Sequence, residues 1–196
     1  MRTRRIYWIA PLLAAIIVST DSYPQETSRY RQKMGFDYGQ SSGWILKKEY
    51  DYQVKLYQLH YYHLLKSGSN WTFEWLTQAQ VNSSRFKRAA LSTEYSSGYE
   101  CGLNLGLLLR TYLGSSRLSA YLLGSIGPHY ISAAPAHQAR GFIFSDNVFM
   151  GLEYRIGHNT FLNARGGYRH ISNAGLKNPN LGVDNVLFGV GIIWGL

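Results

Sequence analysis

Three residues near the carboxyl end of the chain carry side chains suited to acyl transfer. His170 and Ser172 lie two residues apart in the run Tyr168-Arg169-His170-Ile171-Ser172-Asn173-Ala174-Gly175, and Asp184 follows a polar loop. In an extended strand alternate side chains share a face, so the imidazole and the hydroxyl point to the same side. A neutral alcohol attacks an ester poorly until a base accepts its proton, which is the service a neighbouring histidine offers. A carboxylate on the next strand would accept the second ring N–H, fixing the tautomer and stabilising the imidazolium. With a hairpin loop from Asn173 to Val183, Asp184 is expected near Ser172 and diagonally near His170.

Parity assigns these groups a side. Leu162, Ala164, Gly166 and Tyr168 share the face of His170 and Ser172, whereas Asn163, Arg165 and Arg169 share the other. Asp184 has the parity of Val186, Phe188 and Val190. All three groups are therefore expected on an apolar face. A charge there is costly unless it is paired or near an interface, so Asp184 reads as functional.

The elements that must position them follow from the same alternation. Cys101, Leu103, Leu105, Leu107 and Leu109 alternate with small or polar residues, as do Val148, Met150, Leu152, Tyr154 and Ile156. Trp71–Val81 and Val186–Trp194 repeat the pattern, with weaker matches at Met34–Gly39, Tyr52–Leu64, Leu118–Gly127 and Leu162–Ser172. This predicts eight antiparallel strands of an all-β, up-and-down transmembrane barrel, the competing fold being a secreted β-sandwich. The interior-facing residues are mostly small, polar or charged, as a narrow lumen requires, and Glu74, Glu100, Arg110, Glu153, Arg155, Arg165 and Arg169 are expected to fill it as a polar plug.

Composition agrees. Of 196 residues only 16% are charged while 45% are hydrophobic, with 20 Gly and 16 Tyr, which disfavours both disorder and a helical membrane bundle. One cysteine leaves no intramolecular disulfide framework. Arg2, Arg4 and Arg5 precede the apolar run Ile6 to Val18, the pattern of a secretory signal over residues 1–22, with residues 23–196 as the barrel domain. Without Arg2, Arg4 and Arg5 the formal charge of +9 falls to +6, a mildly basic balance that suits an anionic surface, but no basic stripe interleaves with stacking aromatics, so nucleic acid is not an expected partner.

The run His170-Ile171-Ser172-Asn173-Ala174-Gly175, then Asn178-Pro179-Asn180-Leu181-Gly182, then Asp184, resembles the PagL family of outer-membrane lipid A 3-O-deacylases. Weaker similarity extends through Gly141–Asp146 and Gly151–Arg155. The resemblance implies an eight-stranded barrel that removes the ester-linked 3-hydroxyacyl chain at position 3 of lipid A, with no metal or organic cofactor. It implies His170 as general base, Ser172 as nucleophile and Asp184 as the orienting acid, a position where the family often has Glu. Asn180 matches a family asparagine near the oxyanion site, beside the loop amides of Ala174 and Gly175. Lipopolysaccharide would be the substrate and outer-membrane lipid the surroundings, with the oligomeric state, a homodimer included, left open.

Two other readings compete: a phospholipase acting on membrane phospholipids, and a non-enzymatic adhesion or structural barrel. His60 and His63 would face opposite sides of a strand, which makes joint metal ligation improbable. His129, His137 and His158 fall in or near expected turns, and Cys101 reads as a small hydrophobe on the lipid face.

Overall fold

The computed structural model describes residues 30–42, 51–88, 92–114 and 117–196. The expected export segment lies outside them. Strands β1 (Gln32–Ser41), β2 (Gln53–Ser67), β3 (Trp71–Lys87), β4 (Tyr95–Tyr112), β5 (Leu118–Ile131), β6 (Gly141–Arg155), β7 (Thr160–Ser172) and β8 (Val183–Gly195) follow one another in space. Each pairs antiparallel with its neighbours, and β1 pairs with β8, so the sheet closes as a barrel without free edges. The connections at the rim near the chain ends are short, whereas those at the distal rim (42–52, 88–94, 132–140 and 173–182) are longer.

The distribution of side chains is inside out relative to a water-soluble sandwich. Met150 is 64% exposed and Val190 62%, while Arg110 and Arg169 are fully enclosed. Leu103, Leu105, Leu107 and Leu109 form an exposed apolar row on β4. Such a continuous belt belongs in hydrocarbon, and a closed ladder is what lets a strand cross it with every backbone group paired.

The lumen is filled by ion pairs. Arg110 bridges Glu74 (2.8 Å) and Glu153 (2.6 Å), and Lys33 reaches Glu74 at 3.0 Å. Arg165 meets Asp37 at 3.0 Å, and Arg169 meets Glu100 at 2.5 Å. Lys33 and Asp37, on the inward face of β1, are partners the sequence reading did not identify. Arg155, at the end of β6, is half-buried rather than enclosed with the others.

Two expectations are corrected. The lumen is not polar throughout: Leu76, Leu108, Leu123, Leu187 and Ile193 are buried among its ion pairs, and towards the distal rim Val54, Leu56, Phe86, Ile131, Ile143, Ile171 and Val183 close it as an apolar plug, with Tyr52 stacked on Phe86 at 5.5 Å. And His129 lies within β5, not at a turn: it is buried in the lumen, 3.0 Å from Asn104 Oδ1. Gly127-Pro128 does not end the strand, because the β4–β5 ladder skips both residues, so the missing proline N–H breaks no bond there. His60 packs in the lumen against Tyr62, with Nδ1 2.9 Å from its hydroxyl, and Cys101 is exposed on the outer face.

Candidate active site

Strands β7 and β8 bring His170 and Asp184 together at the distal rim. The two are direct partners in the ladder, and Ile171 pairs with Val183 as the last rung. Asp184 thus lies opposite His170 rather than opposite Ser172, because Val183 belongs to the strand and not to the loop. In that register an aspartate is long enough: His170 Nδ1 stands 2.7 Å from Asp184 Oδ1. Their side chains remain 34% and 22% exposed, on the lipid-facing side as parity requires. Beneath them the inward-pointing Ile171 and Val183 are fully buried in the apolar plug, which fixes the backbone that carries the pair.

Ser172 ends β7 on the same face as His170, about 6.6 Å along the strand by its rise. Among the described residues the Ser172 hydroxyl makes no hydrogen bond to His170; such contacts commonly tighten only when substrate is bound. On the β8 side, Gly182 stands against the imidazole. Its φ is +75°, and an added Cβ would overlap His170 Cε1 and lie 3.0 Å from Nε2. Glycine is thus required there both for conformation and for room.

The loop between β7 and β8 is organised by asparagines. Asn180 Oδ1 accepts from the Asn173 N–H at 2.8 Å, and buried Asn173 donates its side-chain amide to Lys177 O at 2.6 Å. Asn173 Oδ1 accepts the Gly175 N–H at 3.0 Å, so that candidate oxyanion donor is already engaged. Ala174 is held at φ +52° between them, and its N–H and the Asn180 side-chain nitrogen carry no bond to other described residues.

Two neighbours of the site were not identified from sequence. Tyr168, one turn of the pleat below His170, donates its hydroxyl to the same Asp184 Oδ1. Asp146 on β6 is the ladder partner of His170 on its other side, and one of its carboxylate oxygens is buried without a hydrogen-bond partner. Its outward parity could have drawn attention, since a lone carboxylate on an apolar face has the same cost as Asp184. Among the described residues no group of three or more His, Cys, Asp or Glu side chains gathers as a metal site.

Comparison with known proteins adds a family. The sequence model of the lipid A 3-O-deacylase (PagL) family matches residues 49–192. A search of curated protein sequences returned no significant match. Among solved structures, the outer membrane enzyme PagL superimposes with a TM-score of 0.55 at 15% identity, covering 81% of this chain and 97% of that one. The outer membrane protein OprG from Pseudomonas aeruginosa gives 0.47 at 10% identity, covering 85% and 96%. Neisserial surface protein A gives 0.46 at 11% identity, covering 84% and 96%.

Proposed function

The chain belongs to the PagL family and is a multi-pass β-barrel of the outer membrane, and from that premise we propose that it is a lipid A 3-O-deacylase working through Ser172, His170 and Asp184. The observation that carries this reading is the 2.7 Å contact of His170 with Asp184 on the lipid-facing wall, with Ser172 on the same face at the rim. A buried lumenal site would have no route to an acyl chain; an outward one meets it in place.

In this mechanism Ser172 Oγ attacks the carbonyl carbon of the ester at position 3 as His170 Nε2 takes its proton. Asp184 holds the Nδ1–H and balances the imidazolium charge. The Ala174 N–H and the Asn180 amide are the donors left for the developing oxyanion, a type of contribution worth about 3–4 kcal/mol per donor in other acyl transferases. His170 then returns the proton to the departing sugar hydroxyl. Water, deprotonated by the same imidazole, cleaves the acyl-enzyme and releases a 3-hydroxy fatty acid.

The test is release of free 3-hydroxy fatty acid from purified lipid A by the full chain in detergent. Release by the wild type and its loss in Ser172→Ala supports the reading. Acid released from phospholipid alone would transfer the same site to a phospholipase.

A further inference from the structure

We propose that Gln138, on the loop between β5 and β6, is a positioning residue that holds the His170 imidazole through the backbone of Gly182; this rests on the esterase reading above. Gln138 is far from the serine and histidine in sequence and lies outside every strand, yet it is only 3% exposed at a rim where most loop residues meet solvent.

Both ends of its side chain are engaged. Oε1 accepts the Gly182 N–H at 3.0 Å, and Nε2 donates to Ala139 O at 3.2 Å. Because Gly182 N–H can only donate, it identifies which amide atom of Gln138 is the oxygen. The backbone of the same loop is laced to the β7–β8 loop around it. Gln138 forms a β-bridge with Asn180, Ala139 N donates to Pro179 O at 2.7 Å, and Leu181 N donates to His137 O at 3.0 Å. The loop is anchored in turn by Ala136 N on Arg88 O at 2.9 Å.

The consequence concerns the direction of one nitrogen. Asp184 pins His170 at Nδ1, and a ring held at one atom can still swing about that contact. Gly182 supplies the second constraint, since its Cα faces the Cε1–Nε2 edge of the ring, the edge that must receive the Ser172 proton. Gly182 lies just beyond the last β7–β8 rung, and there its own N–H is held by the Gln138 side chain. Loss of that acceptor would leave a buried N–H unsatisfied, and the glycine would shift to recover a partner.

The experiment compares Gln138→Leu, which removes the acceptor at similar volume, with Gln138→Glu, which keeps an oxygen at the same reach. Each full-length protein in detergent is assayed for kcat and KM on lipid A, for the rate of Ser172 labelling by a fluorophosphonate, and for amide exchange at Gly182. Gln138→Leu should lower kcat and the labelling rate about tenfold, with KM within about twofold and faster exchange at Gly182. Gln138→Glu should recover most of the loss. If Gln138→Leu does not fold, Gln138→Ser, too short to reach Gly182, takes its place. An active wild type with an equally active acceptor-less variant, or a loss confined to KM, or a Glu variant as poor as Leu, overturns the assignment alone. A wild type that neither releases acid nor reacts with the fluorophosphonate overturns the esterase reading and this one with it.

Discussion

His170 and Asp184 face each other across the β7–β8 ladder, with Nδ1 2.7 Å from Oδ1, in a register that places Ser172 just past the last rung. The proposed base and its orienting carboxylate are therefore held by rigid strand, while the proposed nucleophile and oxyanion donors sit where strand gives way to loop. Asp184→Asn preserves the shape but cannot accept the Nδ1–H as a charge, so turnover should fall by about 10³-fold or more with the barrel intact. Steady-state hydrolysis of lipid A checks this; an Asn variant of ordinary activity would remove Asp184 from the mechanism.

Tyr168 gives Asp184 Oδ1 a second donor. Tyr168→Phe should leave folding unchanged and lower kcat roughly tenfold, the effect of one hydrogen bond to a charged group. The same loss in an Asp184→Asn background would mean that the tyrosine acts elsewhere, because its route through the carboxylate is then already gone.

Gly182→Ala meets both a left-handed backbone and the imidazole. Strain of about 1–3 kcal/mol is expected locally. Fluorophosphonate labelling of Ser172 should slow markedly, while the heat-modifiable migration of the folded barrel on gels stays the same. Unchanged labelling would show that the ring does not depend on Gly182.

Arg169 and Glu100 are enclosed in the lumen at 2.5 Å. Arg169→Met removes one partner and leaves a buried carboxylate, which also accepts from Tyr52 and Asn82. Destabilisation of about 3–5 kcal/mol is expected, read as a lower denaturant midpoint in detergent. The double variant Arg169→Met/Glu100→Gln should recover part of it, since no uncompensated charge remains.

The strand period made much of this legible. Side chains alternate strictly, so the outward placement of His170, Ser172 and Asp184 and the inward placement of Arg110, Arg165 and Arg169 followed from parity alone. Register did not. Asp184 falls opposite His170 because Val183 is drawn into the ladder by its apolar contact in the plug, a long-range effect that no local pattern carries. The plug itself was obscured because β2 has apolar residues on both faces near the rim, Val54 and Leu56 inward, Tyr57 and Leu59 outward. Gln138 was invisible for a similar reason: its partner Gly182 lies two strands away, and a lone glutamine in a loop has no periodic signature.

The most direct test is the lipid A mass spectrum of Gram-negative cells producing the wild-type chain beside cells producing Ser172→Ala, with both proteins verified as folded in the outer membrane. Loss of one 3-hydroxyacyl mass in the wild type alone is the expected result. Identical spectra from the two strains, with lipid A fully acylated in both, would contradict deacylation by Ser172.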